Sequence, residues 1–262
     1  MGEGENVILD IIKYLNENGV IKQNAFCLMS DIWTSRFYRS SYLEVHIQFI
    51  NNNWEMKNTI LSMELFDDRH TGENIKERIH AQIRDLGLSP NETRIVTDCG
   101  ANMIVGVNEC DSSPCACHRL STVIETSWKN AIQIDPEIDT LNNYISKLII
   151  SVNHKLDIQT KLEKTIKESG QTRTWRGLHD KLDRILINHD KLKELAKSDK
   201  TIRVIHQIDK DLLQKVVKFL HPINKLFDVF EKESEPTVNM ICPSYYEICS
   251  HLNSSKIDSD LT

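Results

Sequence analysis

The chain has 262 residues, of which 40% are hydrophobic and 27% charged, a balance typical of a globular protein with one or two domains. Its formal net charge of −6 gives no overall attraction to nucleic acid, so any DNA contact requires a local basic surface. The seven cysteines are odd in number and irregularly spaced, which favours free thiols in a reducing compartment over a disulfide framework.

Several function classes have no support in the sequence. Neither a signal-peptide core nor an apolar run of about 18 residues is present, so we expect a soluble intracellular protein without a membrane partner. Walker, G-x-G-x-x-G and G-x-S-x-G sequences are also absent, which leaves ATP, nicotinamide and serine-hydrolase chemistry unsupported.

The first half of the chain alternates helical and strand-like patterns. Apolar residues recur at helical spacing ahead of Asn18-Gly19, and a short apolar run then leads into Asp31. Two alternating stretches separated by the turn-forming Asn51-Asn52-Asn53 predict an antiparallel hairpin. In chain order we predict helix 6–17, strands 25–29, 43–49 and 54–66, helix 71–86, strand 93–97, helix 100–107, and a short strand before a helix from about His118 to Trp128.

Beyond about residue 137 the strand patterns vanish and the sequence becomes helical, apart from a proline-containing tail that ends in the irregular residues 254–262. This change predicts two domains: a partial α/β core over residues 1–135 and an all-α domain over residues 136–262 that is truncated at its C-terminus. The helical patterns of the second domain run through residues 138–168, 176–197 and 205–231.

Charge is divided unevenly between these halves. Residues 155–203 hold 13 Lys and Arg against 8 Asp and Glu, a net charge of +5, so the remainder of the chain carries −11. A solvated helical bundle explains most of these lysines, and a face that binds phosphates is the alternative.

Two aspartates, Asp31 and Asp98, each follow a strand-like run. If the first and fourth strands lie side by side and parallel, their carboxyl ends meet and the two carboxylates face each other. Carboxylates in that arrangement share divalent cations and support phosphodiester chemistry. The alternative is that each aspartate simply caps a helix or a turn.

Two further clusters contain residue types that are found in metal-binding or nucleic-acid-binding sites. Cys115-Ala116-Cys117-His118 offers zinc-ligand types, but no CxxC pair accompanies it, so we do not expect structural zinc and favour a buried strand with small thiols and one hydrogen-bonded histidine. Trp175 is flanked by Arg173 and Arg176, as in sites where an indole stacks on an unpaired base; a core tryptophan at a helix start is the alternative.

Four short runs occur in a fixed order: Asp31-Ile32-Trp33-Thr34-Ser35, His70-Thr71-Gly72-Glu73-Asn74-Ile75, Thr97-Asp98-Cys99-Gly100-Ala101-Asn102-Met103 and Cys115-Ala116-Cys117-His118-Arg119-Leu120. With Thr172-Arg173-Thr174-Trp175 and the stretch from Pro222 to Pro243, they resemble the hAT transposase superfamily, many of whose domesticated members are BED-type zinc-finger proteins. The resemblance covers nearly the whole chain.

This resemblance implies an α/β fold, namely an RNase H-like mixed sheet with a large all-α insertion domain. It also implies an active site in which three acids hold two Mg²⁺ or Mn²⁺ ions, one activating the attacking hydroxyl and one steadying the leaving oxygen. By resemblance, Asp31 and Asp98 are the first two catalytic, metal-binding acids, and Trp33, Cys115 and His118 support the site.

The same resemblance implies that the helical insertion contacts DNA. Arg173, Trp175 and Arg176 would bind it there, with the indole stacking on a flipped base or a hairpin end. The resemblance places such a protein in the nucleus, with DNA and other proteins as partners.

Departures from the family pattern bear on activity. The third acid expected beyond the helical insertion, the C-terminal dimerisation region and the N-terminal BED finger are not found, and Cys99 replaces the usual asparagine. We therefore expect a fragment or domesticated derivative of a hAT transposase with residual DNA binding and no strand cleavage. The alternatives are a protein-interaction scaffold without DNA binding, and a metal-dependent nuclease whose third ligand is one of Glu231, Glu233, Glu235 and Glu247.

Overall fold

A computed structural model of the chain describes residues 3–23, 25–35, 38–153, 155–162, 177–232, 235 and 237–257. The first part of the chain forms a mixed sheet with helices. Its elements are α1 (Glu3–Glu17), β1 (Phe26–Thr34), β2 (Ser41–Ile50), β3 (Met56–Leu65), α2 (Gly72–Asp85), β4 (Arg94–Thr97), α3 (Ala101–Gly106), β5 (Asp111–Pro114) and α4 (Ala116–Ile134).

The five strands form one sheet in the order β3-β2-β1-β4-β5. β2 and β3 pair antiparallel, which confirms the predicted hairpin, and β1 also pairs antiparallel with β2. β4 lies parallel to β1 and to β5, so the first and fourth strands are neighbours as the sequence predicted. The architecture is the expected α/β, RNase H-like mixed sheet accompanied by a helical region.

One face of this sheet is buried because its apolar residues recur at every second position. β2 alternates between buried residues such as Leu43 and Ile47 and half-buried residues such as Glu44 and His46. α2 supplies Ile75, Ile79 and Ile83 to the same apolar cluster, at the three- and four-residue spacing of one helical face. The other buried members of the cluster are Leu15, Val20, Phe26, Leu28, Val45, Phe49, Leu61, Phe66, Leu86, Ile95, Met103 and Val107.

Glycines allow α2 and α3 to approach closely. A Cβ on Gly72 would lie 2.4 Å from the Cβ of Val105, and one on Gly106 would lie 2.5 Å from a methyl carbon of Ile75. The side-chain amide of Asn102 also donates a hydrogen bond to the His70 carbonyl. Two of the motifs that carry the family resemblance therefore fix one helix–helix contact.

The second part of the chain is helical. Its elements are α5 (Pro136–Asn153), α6 (Leu156–Gln159), α7 (Gly177–Ile187), α8 (His189–Ser198), a 3₁₀ helix (Lys200–Gln207), α9 (Lys210–Phe230) and α10 (Ile241–Ile257). The buried residues of its apolar cluster include Leu141, Ile145, Leu148, Leu182, Ile185, Leu192, Ile202, Ile205 and Leu213. Among the described helices, none is both long and apolar enough to cross a membrane.

The chain divides into two compact units. One comprises Met1–Arg119 with Lys232–Thr237, and the other comprises Leu120–Glu231 with Val238–Thr262. We refer to them as the sheet unit and the helical unit. The division falls within α4, which continues to Ile134, six residues beyond the predicted end at Trp128.

The observed helices differ from the helical patterns in several places. The pattern over 138–168 contains two helices, α5 and α6, and its residues 163–168 lie outside the described part of the chain; the pattern over 205–231 contains the end of the 3₁₀ helix and then α9, which begins at Lys210. The helix predicted over residues 176–197 is interrupted at Asn188, whose side-chain amide donates to the Arg184 carbonyl at 2.8 Å, so that α7 ends and α8 begins there.

No helix was predicted in the proline-containing tail, yet residues Ile241–Ile257 form α10. This helix includes residues 254–257 of the segment 254–262 that the sequence predicted to be irregular, and residues 258–262 lie outside the described part of the chain. Pro243 lies in the first turn of α10, where its missing N–H removes no helical hydrogen bond.

Candidate metal-binding and DNA-related site

Asp31 and Asp98 lie next to the end of the ladder between two parallel strands. This β1–β4 ladder pairs Met29 with Val96 and Ser30 with Thr97; Asp31 is the next residue of β1, and Asp98 is the first residue after β4. Side chains alternate along a strand, so Asp31 lies on the face of β1 opposite the buried Ser30, and its electrostatic interaction with Asp98 shows that the two carboxylates are close.

The sequence pattern predicted that Asp31 lies at the end of its strand, and this prediction is wrong. β1 continues to Thr34 because its antiparallel ladder with β2 extends through the pairs Asp31–Glu44 and Thr34–Ser41. Asp98, by contrast, directly follows the last residue of β4. Asp31 therefore lies within a strand of the sheet, and Asp98 lies just beyond the carboxyl end of β4.

The electrostatics of Asp31 reflect this crowding. Although part of the residue is exposed, the surrounding protein desolvates its carboxyl and raises its pKa, and the negative charges of Asp98 and Glu44 add to that rise. The Ile32 backbone N–H, which donates to Oδ1 of Asp31 at 2.8 Å, and the nearby His118 act in the opposite direction. A cation at this place would relieve the repulsion between the carboxylates.

Asp98 is oriented by the turn that follows it. The backbone N–H of Gly100 donates to Oδ1 of Asp98 at 2.9 Å. A Cβ on Gly100 would lie 3.0 Å from that same oxygen, so a larger residue would displace either the turn or the carboxylate. Glycine at this position therefore allows the turn to hold the Asp98 carboxylate.

Glu44 is a third acid near the pair, and it was not identified from the sequence. It lies opposite Asp31 on β2, and its carboxylate contacts Nε2 of His46 at 3.0 Å. The alternation of β2 placed Glu44 on the polar face of its strand, but only the β1–β2 register shows that this face is shared with Asp31.

Trp33 lies two positions after Asp31 on the same face of β1. Its indole stacks on the ring of Tyr42, with ring centroids 4.7 Å apart and an interplanar angle of 23°. The residue that the resemblance placed beside the first acid is therefore held rigidly by a cross-strand aromatic pair.

Cys115 and the residues after it begin helix α4, and the predicted buried strand at this position is wrong. β5 ends at Pro114, and the Cys115 carbonyl accepts the N–H of Arg119 at 3.1 Å in a first helical turn. The Cys115 N–H donates to the Thr97 carbonyl at 2.8 Å, so Cys115 is fixed beside the end of β4.

The neighbours of Cys115 make its thiol more acidic. A side-chain hydrogen bond from Cys117 and others from the side chain and backbone of His118 lower the pKa of Cys115 to about 4, despite a burial effect of opposite sign. Because His118 also acts on Asp31, this cluster and the aspartate pair form one electrostatic neighbourhood in the sheet unit.

The donor chemistry of the aspartate pair fits a hard divalent cation, since carboxylate oxygens are the ligands that Mg²⁺ and Mn²⁺ prefer. The pair supplies only two side chains. Across the residues that the structure describes, no group of three or more His, Cys, Asp or Glu side chains is arranged to hold a metal ion.

The predicted DNA-contacting residues Arg173, Trp175 and Arg176 lie outside the described residues. Elsewhere in the helical unit, part of the basic charge is engaged internally. Lys155 forms an ion pair with Asp199, and this hydrogen bond lowers the pKa of Asp199 to about 2. Burial lowers the pKa of Lys181. Lys197, Lys200 and Arg203 remain exposed on α8 and the following 3₁₀ helix.

Comparison with known proteins bears on the same region of the chain. A family model described as the ZBED1 RNase-like domain matches residues 29–133, which include Asp31, Asp98, Cys115 and His118. The chain is 25% identical over 228 residues to the Transposable element Hobo transposase of Drosophila melanogaster, covering 83% of this chain and 33% of that protein.

A second relative is zinc finger protein 618, from Mus musculus and from Homo sapiens. Each is 20% identical over 198 residues, covering 74% of this chain and 20% of the relative. The chain thus spans about one third or less of the length of the curated relatives it matches. These matches confirm the family resemblance predicted from the motifs.

Proposed function

We propose that this chain, which is related to the hAT and BED-type transposase-derived proteins and has their RNase H-like region, is a nuclear DNA-binding module. In this proposal it binds a divalent cation weakly between Asp31 and Asp98 and does not cleave DNA by itself. The observation that supports the proposal is that Asp31 and Asp98 each come directly after the last residue pair of the β1–β4 ladder, Ser30 with Thr97.

The aspartate pair explains why a cation would bind and why it would bind weakly. Desolvation raises the pKa of Asp31, the negative charges of Asp98 and Glu44 add to that rise, and a divalent ion would offset both effects. Two carboxylates, however, satisfy only part of the six-ligand shell that Mg²⁺ requires, so water or DNA phosphate would complete it. When bound, such an ion supplies charge stabilisation to phosphate oxygens.

DNA binding is proposed on two grounds. The net charge of +5 over residues 155–203 makes this part of the helical unit the basic region of an otherwise acidic chain. Exposed Lys197, Lys200 and Arg203 are available there to phosphates, and by family resemblance Arg173, Trp175 and Arg176 contact unpaired or hairpin-end DNA.

Fluorescence anisotropy of a labelled hairpin-ended DNA, titrated at 50 and 200 mM salt, tests the DNA-binding part. We expect binding that weakens steeply with salt because counterions are released from the phosphates. Trp175→Ala should lose roughly 1–3 kcal/mol of binding free energy if its indole stacks on a base. Trp54→Ala is the matched control, since Trp54 is 88% exposed in the β2–β3 turn of the sheet unit.

Terbium luminescence tests the cation site, with Trp33 as the nearby sensitiser. We expect Tb³⁺ emission excited through tryptophan to be competed by Mn²⁺ and to be lost in Asp31→Asn and in Asp98→Asn. Asp111→Asn is the control, because Asp111 is exposed on β5 and pairs with Arg94 at 3.1 Å. Equal emission from all three variants would contradict the proposed site.

Two other functions remain as outcomes of these tests. The net charge of −6 favours a protein-interaction scaffold, which predicts no DNA binding even at low salt. Nicking of supercoiled plasmid that needs Mg²⁺ or Mn²⁺ and disappears in Asp31→Asn would establish a nuclease. Glu231, Glu233, Glu235 and Glu247 would then be tested by substitution for the third ligand.

A further inference from the structure

The two edge strands of the sheet differ in how much backbone they offer to another strand. β5 is four residues long and ends at Pro114, so it presents a short edge that a proline closes. β3 runs for ten residues from Met56 to Leu65 and contains no proline. Among the described strands, β3 has β2 on one side and no strand on the other. Its outer edge therefore presents a row of backbone N–H and C=O groups that a further strand can bind.

A β-bulge in β3 decides which of its side chains share a face. The register between β2 and β3 shifts by one residue at Leu61, the extra residue of β3. In a regular strand, residues seven positions apart lie on opposite faces. Because of the bulge, Lys57 and Glu64 lie on the same face. Lys57 pairs with the buried Phe49, and Glu64 pairs with Leu43. Leu43 is buried in the same apolar cluster as Phe49.

From this geometry we propose that β3 is a dimerisation strand, which pairs antiparallel with β3 of a second copy of this chain about a two-fold axis at the bulge. Side chains that face each other in an antiparallel pair must lie on the same face, and the bulge meets this condition for Lys57 and Glu64. This inference goes beyond the proposed function and does not depend on DNA or cation binding.

The proposed register makes the strand complementary to itself. It places an apolar, a charged and a hydroxyl pair opposite each other across the two copies, and the two-fold axis repeats each of them. The pairs are Met56 with Leu65, Lys57 with Glu64 and Thr59 with Ser62, and Asn58 faces Met63 between them. A second copy is the partner that fits best because the same strand supplies both members of every pair.

The two charged side chains are accessible to a partner. Lys57 contacts Glu55 at 2.8 Å, and both side chains are exposed. Glu64 lies 3.7 Å from Arg78, whose guanidinium is closer to Asp68, at 3.0 Å. Exposed ion pairs of this kind within a chain contribute little to stability. Lys57 and Glu64 can therefore turn towards a second copy with little loss.

Apolar side chains beside the edge favour the same pairing. Ile60, Met63 and Leu65 are 48%, 55% and 46% exposed. They pair with His46, Glu44 and Tyr42 of β2, which lie on the face of the sheet away from its apolar core. Pairing of two β3 strands would bring these apolar side chains of both copies together along the edge and remove part of their surface from water.

Charge reversal tests the proposal by analytical ultracentrifugation of the full chain, over a concentration series and with dithiothreitol present. We expect a monomer–dimer equilibrium for the wild type. Lys57→Glu and Glu64→Lys each set like charges opposite each other in both symmetry-related pairs, so each variant alone should dimerise roughly tenfold more weakly. When the two variants are mixed, opposite charges face each other again, and a heterodimer should form with about the wild-type affinity.

Asp111→Lys is the matched control for Glu64→Lys. It makes the same change of charge on β5, at the opposite edge of the sheet, and should leave the dimer unchanged. Recovery on mixing is the internal control for folding, since a misfolded variant would not regain its affinity from a partner.

Cysteine cross-linking tests the register independently. Chains with Asn58→Cys, mixed with chains with Met63→Cys and mildly oxidised, should form a disulfide between positions 58 and 63, because opposite residues of antiparallel strands are within disulfide range. Asn58→Cys alone should not link position 58 to itself, since these positions would be roughly 17 Å apart. Mass spectrometry of the linked peptides separates these products from disulfides of the native cysteines.

Four results would overturn the proposal. The wild-type chain could stay monomeric over the whole concentration series, or form a dimer that neither charge reversal weakens. The two weakened variants could fail to recover on mixing. Cross-linking of Asn58→Cys to itself, in place of the mixed product, would show a different register.

Discussion

The sheet unit and the helical unit place their polar side chains differently. In the sheet unit, Asp31 and Asp98 are gathered on the polar face of the sheet, beside strands whose other face is the apolar core. In the helical unit, Asn188 and His189 are fully buried where α7 ends and α8 begins, and Nε2 of His189 has no hydrogen-bond partner among the described atoms. The first arrangement is open to a ligand, and the second serves the packing of α7 against α8.

This difference affects which contacts can be inferred from the sequence of each unit. A parallel ladder converts spacing in the sequence into neighbouring carboxylates, so chemistry can be inferred from strand register. In a helical bundle, spacing in the sequence does not show which distant side chains meet. The ion pair of Lys155 with Asp199, for example, joins residues 44 positions apart and cannot be inferred from the sequence around either residue. The stability of each unit should depend on its apolar core, on close helix packing and on charge, in that order.

The largest expected effects come from truncating the two apolar cores. Ile79 in the sheet unit and Leu148 in the helical unit are both fully buried, and replacing either with Ala should lower the free energy of unfolding by about 2–5 kcal/mol. Urea denaturation followed by circular dichroism measures the loss. A loss below about 1 kcal/mol at one site and not the other would show that only one unit has a tightly packed core.

Gly72→Ala should have the next largest effect, because its new Cβ would overlap Val105 on α3. Overpacking of this kind typically destabilises by about 1–3 kcal/mol. Glu73→Ala, one position further along the same helix, is the control and should change stability by only a few tenths of a kcal/mol through loss of a charge near the N-terminus of α2. Comparable melting temperatures for the two variants would mean that α2 and α3 are not closely packed.

A smaller effect concerns pH and His80, a buried residue of α2. Burial lowers its pKa in the folded state, so the unfolded chain binds the proton more readily. His80 thus contributes stability that is complete above the unfolded pKa of about 6.5 and declines as pH falls from there towards its folded pKa. The urea midpoint should drop between pH 7.5 and 5.5 in the wild type, and less so in His80→Leu. An identical drop in both proteins would exclude His80 as a source.

The smallest effect on stability is expected for Asp31→Asn. The raised pKa of Asp31 means that its charged form is disfavoured in the folded state, so at neutral pH the substitution should be neutral or slightly stabilising, within about 0.5 kcal/mol. Thermal denaturation at pH 7 measures this change. Clear destabilisation would indicate that the carboxylate is a structural cap on the Ile32 N–H rather than a ligand.

Much of the sheet unit was predictable because local patterns agree with its tertiary structure. The alternation in residues 43–49, the triple asparagine turn and the capping Thr71 each specify their own element. Burial on one face of β1 and β4 also follows from their apolar runs. The sequence patterns did not reveal the register between strands. Asp31 pairs with Glu44, and β1 continues to Thr34, because β1 pairs with β2, a separate segment of the chain.

In the helical unit the presence of helices was predictable and their ends were not. Asn188 ends α7 through a side-chain bond to a backbone carbonyl, a competition that periodicity does not reveal. The helix α10 was missed because Pro243 suggested a break, although proline is well tolerated in a first turn. At the candidate site, the contact between the Cys115 sulfur, Cys117 and His118 depends on where helix α4 begins, which the strand-like residues before it concealed.

The unequal anchoring of the two aspartates has a consequence for ionic radius. Asp31 is fixed by ladders with β2 on one side and with β4 just before it, whereas Asp98 follows the end of β4 and is held by the turn at Gly100. In the proposed site, one oxygen of each carboxylate accepts a backbone N–H, so a cation would meet the other oxygens and water, where the 2.0–2.1 Å that Mg²⁺ demands and the roughly 2.3–2.6 Å of Ca²⁺ differ little. Such a pair should therefore distinguish cations by charge far better than by size.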